Sequence, residues 1–457
     1  MIPVNGTVII DSDPLKNYDV YVSENGSDEK GDGSLNNPFA TILKAYNYAL
    51  SKNTVTISIY VLGTLKGTGN VNLNLKSDCN VNIIGYDSEN SKIKLDGTSF
   101  LSINVNLLKY FKLINLTIFG NSDSDNSVIS INGFSTYVDN CKFIGLDNVI
   151  FGLRTSKIIL NNSKFYNNDA AFINSDFKED IFICNSEFIN NSYSDASFIY
   201  GGKNIYVENT VFDNNVGETL FDVGRGKSLN FTFINTIFSN NDLPMNVGYN
   251  SNLLITNSSF RNNVRDISIN TKKSTNTLLT IIINDSNFYQ SGGFKIDKTY
   301  GKSVITIDNS SFMKVTDAII LDNDNVKVTN SIFLDDICGV NITTGSIFAS
   351  SFYNTEVNAI SGNITLNNNY WNSIEPSINI LNGANVECNS WYVPQLNYTQ
   401  IDSLYNITLK LYYFDGKNYS LADLNNVNLL DEYVRFTSNI GKLSPEYVKF
   451  DSNIINS

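Results

Sequence analysis

"NNSKFYNND", residues 161–169, is a polar stretch around a single strongly apolar pair, with no helical periodicity. Near copies appear as "CNSEFINNS" at 184–192 and "TNSSFRNNV" at 256–264. Aligned on asparagine, a small residue, any residue and then phenylalanine, the series becomes long. It runs through Asn140, Asn162, Asn185, Asn209, Asn235, Asn257, Asp285, Asn309, Asn330 and the shorter "SSF" at Ser350. The phenylalanines are Phe143, Phe165, Phe188, Phe212, Phe238, Phe260, Phe288, Phe312, Phe333 and Phe352. From the first to the last is 209 residues in nine intervals, a mean period of about 23, which marks a solenoid or propeller.

Inside each unit the pattern is that of strands. Apolar residues alternate ahead of the asparagine, as at Ile181 and Ile183, Phe231 and Phe233, or Ile305 and Ile307; alternation predicts a half-buried strand. After it, the small residue and Phe are two apart and share one face of a second short strand. Cys141 takes the small position, as an inward-facing site permits. Asparagine stands where the chain must bend, because it tolerates positive φ and bonds neighbouring backbone. Stacked coil on coil, such residues can form a hydrogen-bonded ladder. Trailing pairs such as Asn167-Asn168, Asn190-Asn191, Asn214-Asn215, Asn240-Asn241 and Asn262-Asn263 suit the next corner. Phe143 through Phe352 are therefore expected to form a core stack, and Asn140, Asn162, Asn185, Asn209, Asn235, Asn257, Asn309 and Asn330 to turn the chain.

Leucine-rich repeats share the period, but their "LxxLxL" framework is missing, and propeller blades need about twice the length. A parallel β-helix fits. Earlier coils read as looser: "VTISIYVLG" at 55–63, "VNIIG" at 81–85, "IKLDG" at 93–97 and "LINLTIFGN" at 113–121.

Composition agrees with such a fold. The chain has 457 residues, 72 of them Asn and none His, with 42% hydrophobic and 17% charged residues. A net charge of −13 opposes nucleic acid. The apolar run "LLTIIIN" is too short for a membrane helix and reads as a buried strand. The beginning, "MIPVNGTVII", lacks the basic and apolar regions of a signal peptide, so the chain is expected to be a piece of a longer parent. Cys79, Cys141, Cys184, Cys338 and Cys388 lie far apart and read as small packed side chains, with neither metal-ligand spacing nor a disulfide framework.

A solenoid needs closed ends. "NPFATILKAYNYALSKN", 37–53, predicts the one good helix, with Ile42, Ala45, Tyr46, Ala49 and Leu50 as its apolar stripe. Towards the other end, "NNNYWNSIEPSINILNGANVECNSWYVPQLN" offers Trp371 and Trp391 to the last coil. "VPQLNYTQ", 393–400, reads as an exposed linker, and alternation resumes in "ITLKLYYFDGKNYSL", followed by a "NIGKLSP" turn.

The stretch "YDVYVSENGSDEKGDGSLNNPFATILKA" resembles a signature that opens many right-handed β-helix proteins of the pectate-lyase-like superfamily. The "NNYWNS…W" ending followed by a new module is similar to adhesin-like surface proteins of methanogenic archaea. That resemblance covers nearly the whole chain and implies a β-helix followed by an immunoglobulin-like or invasin-like repeat near a cell-surface anchor.

Catalytic readings are thin. Without histidine there is no Ser-His-Asp triad and no imidazole metal site. A lyase of this superfamily needs clustered carboxylates for Ca²⁺ and an Arg or Lys base. The repeats contain Arg154, Arg225, Arg261 and Arg265; Asp222 with Arg225, or Asp266 with Arg265, could be recruited, and surface ion pairs explain them equally well. "NSDSDNS" at 121–127 and "DNDN" at 322–325 place oxygens at alternate positions, as Ca²⁺ loops do, but lack the EF-hand glycine and glutamate. Tyrosines exposed along a flat coil face could stack on sugar rings.

The expectation is an all-β chain: N-terminal strand and capping helix over 1–54, right-handed parallel β-helix solenoid over 55–398, and a small, incomplete immunoglobulin-like module over 399–457. Its expected role is a non-enzymatic, extracellular, cell-surface adhesin-like protein. Its partners would be glycans or surface proteins of other cells, with no nucleic acid and no membrane insertion. No cofactor is expected beyond structural calcium, and no catalytic or metal residue is assigned. A Ca-dependent polysaccharide lyase, or another carbohydrate-active β-helix enzyme, is the alternative, and a tailspike-like binder is third.

Overall fold

The computed structural model describes residues 17–87, 89–105, 110–121, 129–132, 135–147, 150–153, 157–169, 173–174, 180–193, 198–200, 203–222, 229–248, 251–270, 278–297, 302–320, 325–401, 404–426, 428–430, 433–435 and 447–449. The fold is a parallel β-solenoid, of the right-handed type that parallel crossovers take. By compactness the chain divides into two units, 1–187 and 188–457.

In the first unit, Ser135–Asp139, Lys142–Ile144 and Ile150–Leu153 make three strands of one coil. The next coil repeats them as Lys157–Asn161, Lys164–Tyr166 and Ile173–Asn174. Their registers place Ser135 on Lys157, Phe143 on Phe165 and Ile150 on Ile173, all parallel. The first-sheet strands bury alternate residues, so Thr136, Val138, Ile158 and Leu160 point inward. This is the period-2 signal of the sequence expressed in space.

The second unit repeats the scheme. Asn204–Glu208, Val211–Asp213 and Phe221–Asp222 lie on Leu229–Ile234, Ile237–Ser239 and Met245–Val247. Here Asn204 registers with Asn230, Phe212 with Phe238 and Phe221 with Met245.

The phenylalanines stack face to face within each unit. Phe143 and Phe165 have ring centroids 4.8 Å apart and 7° from parallel. In the second unit the stack runs Phe188, Phe212, Phe238, Phe260, Phe288, Phe312, Phe333 and Phe352, with spacings of 4.6 to 5.1 Å. Trp371 continues it, 4.5 Å from Phe352. All ten phenylalanines are buried. Earlier coils hold Leu65, Ile93 and Ile118 in the same column. The repeat thus begins before its phenylalanines do: Asn115 has φ 56° and splits "LINLTIFGN" into Tyr110–Ile114 and Thr117–Asn121.

Every corner asparagine of the motif is left-handed. Asn140, Asn162, Asn185, Asn209, Asn235, Asn257, Asn309 and Asn330 have φ between 45° and 52°. Their amides link coils, as from Asn140 to Asn115 at 2.9 Å and from Asn235 to Asn209 at 2.9 Å. The first residue of each trailing pair is left-handed too, as at Asn167, Asn190, Asn214, Asn240 and Asn262.

Two further ladders run inside. Except at Cys141, the small residue two before Phe is a buried hydroxyl, and its oxygen accepts the neighbouring coil's N–H. Thus Thr236 N donates to Ser258 Oγ at 3.1 Å, and Ser258 N to Ser286 Oγ at 3.2 Å. Each hydroxyl in turn donates to the carbonyl two residues back, as from Ser258 to Thr256. The second residue of each asparagine pair is buried outright. Asn215 donates to Asn241 Oδ1 at 3.0 Å and to the Phe188 carbonyl at 3.0 Å.

The helix spans Ile42–Leu50, shorter than 37–53. It starts where Thr41 accepts from Lys44 N and where Asp28 accepts the Ala40 and Thr41 amides. Ile42, Ala45, Tyr46 and Ala49 are buried, but Leu50 is 38% exposed and lies off the packed stripe. The division at 54/55 separates no packing units, because Asn17–Ser23 pairs along its length with Thr56–Leu62 in the first sheet.

At the other end the linker expected over 393–400 is a strand. Trp391–Ile401 pairs in parallel with Asn369–Tyr370 and antiparallel with Leu404–Phe414, so a boundary at 398/399 would cut a hairpin. Tyr370, Tyr392 and Leu411 form a buried cluster flanked by Tyr353, Tyr413, Ala422, Leu424 and Leu429. Burial of Tyr392 and Leu411 overrides the linker-like composition. Trp391 does not join the Phe column; it tilts against Phe414 and donates to the Ile374 carbonyl.

Candidate functional site

Successive first-sheet strands in the first unit present their outward residues in columns. One runs Asp19, Ser58, Asn82, Lys112, Tyr137, Ile159 and Phe182; its neighbour runs Tyr21, Tyr60, Ile84, Ile114, Asp139, Asn161 and Cys184. Parallel in-register pairing fixes this, since identical phase repeats at each coil. The result is a flat face with two aromatic groups.

Tyr21 and Tyr60 stack, with centroids 5.0 Å apart and planes 19° from parallel. The Tyr60 phenol is pushed above its ordinary range by burial and then by Asp19 and Tyr21, so it remains a neutral donor. Tyr110 and Tyr137 meet edge to face at 6.2 Å. The Lys112 ammonium lies 4.6 Å from the Tyr110 ring and 5.2 Å from that of Tyr137, and Lys157 lies 4.5 Å from Phe182. Contacts of this kind hold ring orientation. Tyr21, Tyr60, Tyr110, Tyr137 and Phe182 are all half-buried, each showing part of its ring to solvent. In the column between the groups, Asn82 donates to Ser58 at 3.1 Å, while its own carbonyl oxygen has no donor. Asp139 accepts the amides of Asn161 and Asn162 at 2.9 and 3.1 Å.

On the second strands of their coils, Lys164 pairs with Glu187 at 2.9 Å, and the Tyr166 hydroxyl donates to the same carboxylate. Burial works to raise the Glu187 carboxyl, but the bonds from Tyr166 and Lys164 outweigh it and hold it low. Burial and Glu187 raise the Tyr166 phenol. A phenol held protonated and already donating is poorly placed to act as a base.

The outer first-sheet face of the second unit has a different character. Asn252 donates to Asn230 at 2.8 Å and Asn230 to Asn204 at 2.7 Å, forming an amide ladder. On a separate four-stranded sheet of this unit, Asn379 donates to Asn358 and Asn358 to Asn341, each at 2.9 Å.

Among the described residues the candidate lyase groups are not brought together. Asp266 is fully buried, facing inward rather than pairing with Arg265 at the surface. It accepts from Asn263 at 2.9 Å, Ser291 at 2.6 Å and Gly293 N at 2.8 Å, and so terminates the inner asparagine ladder. Burial pushes its carboxyl up to about 6. Asp222 accepts from Asn246, and Arg261 donates to Ser259. Arg154 and Arg225 lie outside the described residues, as do 122–127 and 322–324 of the two oxygen-rich turns. Among the described residues no group of three His, Cys, Asp or Glu is arranged to hold a metal ion.

The aromatic face carries little signal in a single sequence, because Tyr21, Tyr60, Tyr110 and Tyr137 occupy no repeated motif. The coil register is what brings them together.

No family model matches the chain, and no curated protein is similar to it at significance. Among solved structures it is similar to the Dettilon tailspike protein at 10% sequence identity and a TM-score of 0.21, over 86% of this chain and 78% of that one.

Proposed function

We propose that the protein is a non-enzymatic, adhesin-like β-solenoid that binds glycans on the outer face of its first sheet. The observation that carries this is the pair of half-buried ring groups, Tyr21 with Tyr60 and Tyr110 with Tyr137, on one flat face. Tyr21 and Tyr60 turn their faces to one another, so the ring edges they show are held rigid against the apolar side of a sugar, and little side-chain entropy is lost on binding.

An extracellular, cell-surface setting, with glycans or surface proteins of other cells as partners, belongs to the same proposal. In it the helix closes the first coils, and the antiparallel strands after Trp391 begin an immunoglobulin-like module. A glycan array probed with the purified chain tests the binding role. Binding weakened in Tyr60→Ala and in Tyr137→Ala, and lost when the two are combined, with the fold intact, is expected. An array without binders, or one unaffected by both substitutions, overturns it. The runner-up lyase predicts unsaturated products from polygalacturonate with Ca²⁺; their absence is expected.

A further inference from the structure

We infer that the ligand is an extended, uncharged polysaccharide lying along the coil-stacking direction and spanning both ring groups; this deepens the glycan-binding reading and rests on it.

Direction follows from register. Tyr21 and Tyr60 occupy the first two strands of the sheet, Tyr110 the fourth and Tyr137 the fifth. Three coil steps separate Tyr60 from Tyr137, about 14 Å at ~4.8 Å per step. That distance is several hexose units, too long for one sugar and suited to a chain crossing the strands. Between Tyr60 and Tyr137 the columns contain Asn82 and Lys112 beside Ile84 and Ile114, all half-buried or buried. A ligand along a strand would instead meet one ring group and miss the other.

Charge follows from the same face. Its lysines are already placed against rings: Lys112 over Tyr110 and Tyr137, Lys157 over Phe182. Asp19, Asp139 and Asp180 point outward in the same columns or the one beside them. With a net charge of −13 behind them, a polyuronate would be repelled on approach. A neutral chain loses nothing to that field and gains from the rings.

Isothermal titration with cello- and chito-oligosaccharides of increasing length, beside polygalacturonate, tests this. Affinity should rise severalfold once the ligand is long enough to reach from Tyr60 to Tyr137. Polygalacturonate should bind more weakly than the neutral chains at low salt. Tyr60→Ala and Tyr137→Ala should each abolish the length dependence while leaving short oligosaccharides bound at the remaining ring group. Tyr60→Thr and Tyr137→Thr, which keep a strand-forming residue, repeat the test should an alanine variant unfold. Neutral glycans bound without length dependence, or polygalacturonate bound more tightly, would overturn the inference while sparing the glycan-binding reading. Failure of every glycan would overturn both.

Discussion

Asn241 donates both its backbone N–H, at 2.9 Å, and its side-chain amide, at 3.2 Å, to the one carbonyl oxygen of Asn263. The same amide donates to the Phe212 carbonyl, and Asn215 makes the equivalent pair of bonds to Asn241. A buried asparagine therefore satisfies backbone at a corner where no sheet ladder can. Asn241→Ala would leave the backbone N–H and one side-chain N–H of Asn215 without their acceptor and would remove one of the bonds to the Phe212 carbonyl. The expected loss is about 3 kcal/mol, from penalties of ~1–3 kcal/mol per orphaned buried group. Asn240→Ala, at the exposed corner residue beside it, removes only surface amide bonds and a left-handed preference, and should lose clearly less. Urea unfolding of the two variants checks this; equal losses would argue against the inner ladder as the stronger element.

Phe238 lies between Phe212 at 5.1 Å and Phe260 at 4.9 Å, with Phe221 and Phe233 at its edges. Phe238→Ala should cost about 3–5 kcal/mol, since such a site cannot collapse around the cavity. Ile337→Ala, 75% exposed, serves as the near-neutral comparison. A Phe238→Ala loss below about 1 kcal/mol would contradict a continuous packed column.

The solenoid class was legible because one coil's chemistry recurs in the chain: asparagine for positive φ, a small hydroxyl, then phenylalanine. Three things were not. The coils before Phe143 use Leu65, Ile93 and Ile118 in the ring column, so a motif defined by phenylalanine misses them. Asp266 next to Arg265 looks like a surface pair in one dimension, yet a turn sends its carboxyl inward to Ser291 and Gly293. The aromatic face is a property of register, since Tyr60 and Tyr137 are unrelated in sequence and share one sheet face only after coiling.

Stability should fall as pH rises. Burial pushes Asp266 up to about 6 and Asp336 up to about 8. Both folded values exceed the unfolded one, so the folded state binds more protons between them. The associated stability is fully present below about pH 4 and is lost progressively as pH rises through 6 and then 8. Asp336 Oδ1 accepts from Val315 N at 2.9 Å, while Oδ2 has no partner. Asp336→Asn keeps the first bond and removes the ionisation, so it should flatten the melting-temperature profile between about pH 6 and 9. Asp266→Asn should destabilise at every pH, because one amide nitrogen would face groups that already donate. A profile in Asp336→Asn as steep as in the parent chain would refute the assignment.

Truncation separates a closing hairpin from a dispensable tail. Tyr392 and Leu411 are buried with Tyr370, and the Tyr392 hydroxyl donates to the Asn426 carbonyl at 3.2 Å. Ser351 Oγ donates to the Asn428 carbonyl, and Leu430 N donates to the Tyr353 hydroxyl at 3.2 Å. Residues up to 430 thus cover aromatic side chains of the last coils. Ending the chain after Leu430 should leave the melting temperature of the second unit nearly unchanged. Ending it after Ser390 strips Tyr353 and Tyr370 of their cover. Loss of two or three large apolar contacts at ~1.5–3 kcal/mol each should lower the melting temperature by several degrees. Because solenoid stability passes between neighbours, the last coils should fray first. Hydrogen exchange should therefore show protection lost around Phe352 and Trp371 before it is lost around Phe238. Equal melting temperatures for the two truncations would mean that 391–430 only rests on the coils and does not close them.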